Sequence, residues 1–247
     1  MLKVQSLVKY FDGIKAVDGV SFDVSPGECV ALIGPTGAGK STCFACIAGQ
    51  YLPTSGSIDW DGQPLDRQTP AVRLRRGVAR TFQVAQVFEA LTVLQNVQLA
   101  AQVNRGLRAF SAFKKLDMHS REVAYSLLEQ TGLQTLADRD AASLPYGAKK
   151  RLELALTLAP RPHLLLLDEP AAGLAEIERA ELMQLVKRLA KQGMAVLYTE
   201  HNMDAVAAVA DRVLVLIEGK IAAQGSFEDI SRDSTVRRRY LGEAQHA

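Results

Sequence analysis

The chain has 247 residues, and its 29 lysines and arginines nearly balance its 27 aspartates and glutamates, which leaves a formal net charge of +2. This length can bury a substantial core in one large domain or two lobes, and the balanced charge argues against a nucleic-acid binder with a basic surface. Asp168 and Asp211 interrupt the two longest apolar runs, so neither reaches the about 18 residues of a membrane span. The N-terminus lacks the apolar stretch of a signal peptide. We expect the three cysteines to be buried free thiols in a reducing cytosol.

The first part of the chain predicts short strands beside a nucleotide-binding core. Residues Val4 to Val8 form a candidate strand, and Lys9 to Gly13 a turn. The alternating stretch from Val20 to Val24 predicts a half-buried strand, and Ile58 to Gly62 a strand and hairpin. Together these elements indicate a small antiparallel sheet.

A phosphate-binding loop follows the next buried strand, which spans Glu28 to Ile33. Its sequence fits the pattern G-x-x-x-x-G-K-[ST] and comprises Gly34, Pro35, Thr36, Gly37, Ala38, Gly39, Lys40, Ser41 and Thr42. Glycines let successive backbone N–H groups turn toward a polyphosphate, and a helix that begins near Lys40 adds the positive end of its dipole. Lys40 is expected to reach the β- and γ-phosphates and Ser41 to bind Mg²⁺. The chain therefore binds a nucleotide.

The middle of the chain changes from strand to helical patterning. A strand from Val78 ends at Gln83, and amphipathic helices are predicted for residues Leu91 to Val103 and Glu122 to Gln130. Between these helices lies a basic piece, residues 104–115, which we interpret as a solvated loop. A contact with a membrane partner or with lipid head groups is the weaker alternative.

Two further strands carry candidate catalytic residues at their carboxyl ends. Four consecutive leucines, residues 164–167, predict a strand buried on both faces of a parallel sheet. It ends at Asp168, which we expect to organise the Mg²⁺ shell, and Glu169, which we expect to polarise the attacking water. A helix from Glu176 to Lys191 precedes the next strand, and His201 after that strand is a candidate γ-phosphate contact. A last strand pair is predicted around Glu218 and Gly219.

In their order along the chain, these motifs resemble the ATP-binding subunits of ABC transporters. The motifs are Phe11 (adenine-stacking aromatic), Gly34–Thr42 (Walker A), Gln83 (Q-loop), Leu144–Ala148 (signature), Leu164–Glu169 (Walker B with catalytic glutamate) and His201 (switch histidine). The resemblance implies an α/β fold: a P-loop NTPase core with a parallel sheet, an added antiparallel β subdomain and a helical subdomain. The core lobe would span about residues 1–84 and 160–247, and the helical lobe about 85–159.

The resemblance also implies a set of ligands and partners. ATP would contact Phe11, Val17 and the Walker A residues, and Mg²⁺ would be held by Ser41, Gln83 and Asp168. A second ATPase subunit would place its own ATP against Leu144, Pro145, Tyr146 and Gly147 of this chain. Integral membrane permease subunits would bind the pair on the cytoplasmic face of the membrane, and a periplasmic solute-binding protein would take part indirectly. No nucleic-acid partner is expected.

Within the family, the chain looks most like the ATPases of branched-chain amino acid importers. That likeness rests on residues 15–22, 91–97, 168–174 and the ending Arg239-Tyr240-Leu241-Gly242, and the basic insert also fits one of the two ATPases of such systems. It implies uptake of branched-chain amino acids or a related amino acid, carboxylate or amide. The Tyr-Leu-Gly ending is shared with lipopolysaccharide-export ATPases, so lipid or lipopolysaccharide export is the alternative. Soluble ABC proteins of translation or DNA repair usually carry tandem cassettes or a long coiled coil, and this chain has neither.

Two residues depart from the family pattern. Pro145 replaces the signature serine and so removes a hydroxyl and a backbone N–H that would contact the partner's ATP. Ala175 stands where the D-loop usually has Asp or Asn. We therefore hypothesise an asymmetric heterodimer in which the ATP held by this chain is hydrolysed well and the partner's ATP poorly. A homodimer in which both sites work, and a divergent slow subunit, remain the alternatives.

Overall fold

The computed structural model describes residues 1–81, 87–103 and 118–242. Over these residues the strands form a four-stranded sheet of order β2-β1-β4-β5 and a six-stranded sheet of order β10-β9-β3-β8-β7-β6. The strands are β1 (Leu2–Phe11), β2 (Ile14–Val24), β3 (Cys29–Ile33), β4 (Ser55–Trp60), β5 (Gln63–Pro64), β6 (Val78–Arg80), β7 (Leu164–Asp168), β8 (Ala195–Thr199), β9 (Arg212–Ile217) and β10 (Lys220–Gly225). The α/β fold with an antiparallel subdomain is confirmed.

The smaller sheet is antiparallel, as predicted, but its first strand is longer than the sequence indicated. Residues 9–13 were interpreted as a turn, whereas β1 runs on to Phe11, which pairs with Ile14. This interpretation was wrong because the ladder to β2 continues through Tyr10, opposite Lys15. Only Asp12 and Gly13 make the turn, both with positive φ.

The larger sheet holds the predicted parallel strands. Strands β9, β3, β8, β7 and β6 run parallel, and β10 pairs antiparallel with β9 at one edge. Residues Leu164–Asp168 are buried throughout, and the four leucines have no exposed surface. Because β3, β8 and β7 are neighbours, the chain segments that leave their carboxyl ends meet at one edge of the sheet.

The helices surround this sheet and build a separate cluster in the middle of the chain. They are α1 (Lys40–Ala48), α2 (Pro70–Arg75), α3 (Val93–Val103), α4 (Met118–Thr131), α5 (Tyr146–Leu158), α6 (Glu176–Lys191), α7 (Met203–Val209), α8 (Phe227–Arg232) and the short α9 (Ser234–Val236). Side chains of α3, α4 and α5 pack together in their own hydrophobic cluster, which includes Val97, Leu128 and Leu152. The division into two lobes at about residues 85 and 159 stays a prediction.

The cysteine and tryptophan side chains of the described chain are buried in this fold. All three cysteines are free and buried, as predicted. Trp60 is 7% exposed and packs in a core cluster, so its role here is packing. In the described part of the chain, no helix combines the length and the apolar character needed to cross a membrane.

Candidate nucleotide site

The phosphate-binding loop lies between the end of β3 and the start of α1. Ile33 is fully buried at the end of the strand, Thr36 and Gly37 are exposed, and α1 begins at Lys40. Gly39 has a φ of +101°, and a Cβ there would lie 2.1 Å from the Ala16 carbonyl oxygen. Only glycine fits this position, because β2 packs directly against the loop and the backbone is left-handed.

The Lys40 ammonium lies inside this loop. Nζ donates hydrogen bonds to the carbonyl oxygens of Gly34 at 2.7 Å and Pro35 at 3.0 Å, and the residue is 7% exposed. Burial lowers the pKa of Lys40, and the charges of Glu169 and Asp168 oppose that shift. A bound phosphate would replace the two carbonyl oxygens as the acceptor of the Lys40 hydrogen bonds. The ammonium that it meets has already lost most of its contact with water.

Both oxygens of the Asp168 carboxylate are held by side-chain donors. Oδ1 accepts from Thr199 Oγ1 at 2.9 Å, and Oδ2 accepts from Arg80 Nη2 at 2.7 Å. Asp168 is 2% exposed. Its orientation is therefore fixed by two neighbouring strands, β8 and β6.

Glu169 and His201 are in contact at the same edge. His201 Nε2 lies 3.0 Å from Glu169 Oε1, with both side chains partly open to solvent. The Glu169 backbone N–H donates to Thr199 Oγ1 at 2.9 Å, and its φ is +49°. A left-handed backbone at a glutamate is strained, and here it turns the carboxylate off the end of β7.

The oxygen donors at this edge fit Mg²⁺ bound together with a nucleotide. Ser41 is exposed at the first turn of α1, and Asp168 supplies a carboxylate; both are hard oxygen donors. Among the described residues, no group of three His, Cys, Asp or Glu side chains could hold a metal without help. Mg²⁺ usually combines one or two carboxylates with substrate phosphates, and Asp168 supplies one carboxylate at this edge.

The two predicted adenine contacts, Phe11 and Val17, differ in exposure. Phe11 is 37% exposed, whereas Val17 has no exposed surface and packs in a core cluster with the side chains of α1. The Phe11 and Tyr51 rings make an edge-to-face contact with their centroids 5.1 Å apart, and the Lys9 ammonium lies 4.9 Å from the Phe11 centroid. The open aromatic surface is therefore made by Phe11 and Tyr51.

The signature residues lie at the start of helix α5 and contact residues 172–178 of the same chain. Leu144 is buried, Pro145 is the exposed N-cap, and Tyr146 Oη donates to the Ala172 carbonyl at 3.3 Å. Gly147 lies so close to Glu178 that a Cβ would come within 2.3 Å of Oε1. The two departures from the family pattern are both N-caps without a side-chain cap in the described structure: Pro145 of α5 and Ala175 of α6.

Some predicted residues fall outside the described ranges, and some important ones were not predicted. Gln83 and the basic insert, residues 104–115, lie outside them. Arg80, Thr199 and Tyr51 were missed as site residues. A charged residue inside a short buried strand was a readable signal for Arg80, and Tyr51 carried the weaker signal of an exposed aromatic just after α1.

Comparison with known proteins places these features in context. A family model described as "ABC transporter" matches residues 17–172. The ATP-binding protein BraF for high-affinity branched-chain amino acid transport, from Pseudomonas aeruginosa, is 37% identical and covers 99% of this chain and 98% of its own length. The corresponding protein LivG from Escherichia coli K12 is 38% identical with the same coverage.

Solved structures give the same picture for the fold. The ADP conformation of MJ1267, an ATP-binding cassette of an ABC transporter, has a TM-score of 0.88 and 31% identity, covering 98% of each chain. The dimeric, post-hydrolysis ATP-binding cassette MJ0796 with ADP and phosphate has a TM-score of 0.78 and 26% identity, covering 92% of this chain and 99% of its own.

Proposed function

The chain belongs to the ABC transporter family of ATP-binding cassettes, and on this premise we propose that it is the ATP-hydrolysing subunit of a branched-chain amino acid importer. The observation that carries the proposal is one sheet edge at which the Walker A loop, Asp168 and the Glu169–His201 pair come together. The solute assignment is supported by BraF and LivG, each matched over 99% of this chain. The alternative of lipid or lipopolysaccharide export is not favoured.

ATP would bind through its phosphates to the Walker A loop and through its adenine ring to the exposed Phe11. The backbone N–H groups of residues 36–42 and the Lys40 ammonium would hold the β- and γ-phosphates, and the α1 dipole adds to the attraction. Phe11, in edge-to-face contact with Tyr51, would receive the adenine ring. Val17 would contribute only packing beneath this platform, since its side chain is fully buried.

Hydrolysis requires a base next to the γ-phosphate. Glu169 would orient the attacking water and accept its proton, and His201, 3.0 Å away, would hold the carboxylate and contact the γ-phosphate. Thr199 supports this arrangement because its hydroxyl joins the Asp168 carboxylate to the Glu169 backbone.

Mg²⁺ is part of this proposal through the chemistry of its donors. Ser41, Asp168 and Gln83 would hold it, and the bound ion would offset charge on the phosphates. The surrounding residues of this chain shield Lys40 from water, fix the Asp168 carboxylate and orient Glu169.

The assembly that we propose is a pair of ATPase subunits on two membrane permeases at the cytoplasmic face, served by a periplasmic binding protein. MJ0796 is known as a dimer, and the exposed Tyr146 and Ile177 suit a second subunit. The helical lobe, about residues 85–159, would face the permeases. We favour a heterodimer, because Pro145 offers the partner's ATP neither a hydroxyl nor a backbone N–H.

Two experiments test the proposal at separate levels. ATPase rates of the purified chain, measured over a range of protein concentrations with Lys40→Ala as the inactive control, test the enzyme. Inactivation of the gene in its host, followed by uptake of radiolabelled leucine, isoleucine and valine, tests the solute. Unchanged uptake with intact ATPase activity would overturn the importer assignment alone.

A further inference from the structure

We propose that Arg80 is a positioning residue for the Walker B carboxylate, a built-in counter-ion that holds Asp168 in the orientation that Mg²⁺·ATP requires. The inference rests on the proposed ATP and Mg²⁺ site and extends it to a residue outside the family motifs quoted above. It is carried by the contacts of the Arg80 guanidinium.

Arg80 stands at the end of β6, beside the end of β7. Its Nη2 donates to Asp168 Oδ2 at 2.7 Å, and the side chains are only 12% and 2% exposed. An ion pair removed from water in this way loses its hydration, so each charge depends on the other. Asp168 therefore depends on Arg80 for the charge balance of its buried carboxylate.

The same guanidinium also reaches the helix that follows the phosphate-binding loop. Nη1 donates to Gln50 Oε1, just past the end of α1, and the guanidinium carbon lies 5.9 Å from the centroid of the Phe44 ring on α1. Arg80 thus joins the Walker A helix to the Walker B strand. A planar group with several donors can make such contacts at once, which a lysine cannot.

The neighbouring Thr81 strengthens the link between β6 and Asp168. Its N–H donates to the Leu166 carbonyl at 3.0 Å, and its hydroxyl accepts from the Asp168 N–H at 3.3 Å. Backbone and side chain of Asp168 are therefore both held from β6 and the residue that follows it. Mutation of a partner that fixes a metal-binding carboxylate in this way typically costs about 10- to 100-fold in metal affinity or activity.

The first test is a thermodynamic cycle on the nucleotide-free full chain. Arg80→Gln should lower the melting temperature by roughly 6 °C or more, because it leaves a buried carboxylate unpaired. Adding Asp168→Asn in the same chain should restore most of that loss. Additive effects of the two substitutions would show that the residues are not coupled and would overturn the proposal.

The second test separates positioning from general damage. The dissociation constant of a non-hydrolysable ATP analogue is measured by calorimetry with Mg²⁺ and with EDTA. We expect Arg80→Gln to reduce the Mg²⁺ enhancement about tenfold and to leave Mg²⁺-free binding nearly unchanged. We expect Arg80→Lys to recover part of the lost enhancement.

Arg75→Gln, at an exposed position on α2, is the matched control and should behave as the unmodified chain. If Mg²⁺ enhances the affinity of Arg80→Gln for the ATP analogue as much as that of the unmodified chain, the proposal is overturned. A larger enhancement would also overturn it, because Arg80 would then compete with Mg²⁺ for Asp168. Absence of any binding by the unmodified chain would instead overturn the proposed ATP site, so the two failures are distinguishable.

Discussion

His201 Nε2 lies 3.0 Å from Glu169 Oε1, and the two residues reach this contact from the ends of adjacent parallel strands. The strained φ of +49° at Glu169 and the Thr199 hydroxyl bond to its N–H hold the carboxylate in place. The sheet itself therefore sets the geometry of the proposed catalytic pair.

Replacing Glu169 with Gln should abolish most ATP turnover while nucleotide binding is kept. The amide has nearly the shape of the carboxylate but cannot accept the proton of the attacking water, so kcat should fall by roughly 100-fold or more. Steady-state ATPase rates of the assembled complex and ATP affinity check this. Glu129→Gln, at an exposed site on α4, is the control, and turnover largely intact in Glu169→Gln would contradict the assignment.

The buried arginine on α2 should be essential for the stability of the Walker A helix. Arg73 has no exposed surface, and its Nη1 donates to the carbonyls of Cys46 at 2.6 Å and Ile47 at 2.7 Å, at the end of α1. Arg73→Met removes the guanidinium bonds to both carbonyls and leaves that of Cys46 with the Gly49 N–H at 3.2 Å. The loss of these two buried, charge-assisted bonds should cost about 3 kcal/mol and lower the melting temperature by roughly 6–12 °C. Calorimetry of this variant and Arg75→Met, a partly matched exposed control, measures the effect; equal melting temperatures would contradict it.

Contiguous sequence patterns predicted part of this fold and site, whereas contacts between distant residues could not be predicted from the sequence. The leucines of β7 and the phosphate-binding loop were readable because each is a contiguous pattern with one structural solution. The bonds of Arg73 to α1 and of Arg80 to Asp168 join residues far apart in the chain, so no local period encodes them. The end of β1 was misplaced because strand pairing with β2, not residue type, decides where the turn begins.

Stability should fall as the pH rises above about 9. Burial raises the pKa of Cys46 to about 11 and of Cys29 to about 12, and that of Cys43 further. In the unfolded chain these thiols ionise near pH 9, so the folded state binds more protons above that pH and the free energy of unfolding declines, at about 1.4 kcal/mol per pH unit per thiol. The decline continues up to the folded pKa values.

Urea titrations at pH 8.5, 9.5 and 10.5 would follow this slope, with Cys29→Ala and Cys46→Ala each expected to reduce it. If neither substitution changes the slope of the unfolding free energy against pH, the loss of stability at alkaline pH comes from other groups. Tyr198 is one such group, since burial raises its pKa as well.

Giving α6 a capping side chain should stabilise the protein. Ala175 is its N-cap with extended backbone and no side-chain cap in the described structure, whereas Asp at this position accepts from the first-turn N–H groups. Ala175→Asp should add about 1 kcal/mol and raise the melting temperature by roughly 2–4 °C. Ala172→Asp, nearby but outside the helix start, should not; a lower melting temperature for Ala175→Asp would mean that repulsion from Glu176 and Glu178 outweighs the cap.

Pro145 should limit turnover wherever this chain presents its signature to an ATP. It is the exposed N-cap of α5, so Pro145→Ser restores a hydroxyl and an N–H at the helix terminus without disturbing the core. In a homodimer of this chain both ATP molecules face Pro145, and we expect the substitution to raise turnover about tenfold, below the roughly 100- to 1,000-fold effect of one oxyanion-hole donor. Paired with a subunit that carries an intact signature, the same substitution should change turnover less, because the ATP held by this chain does not meet Pro145.

Pro70→Ser, at the exposed first residue of α2, is the control for loss of a helix-start proline. Equal turnover of Pro145→Ser and the unmodified homodimer would mean that Gly147 and the helix terminus suffice, and would remove the main reason for favouring a heterodimer.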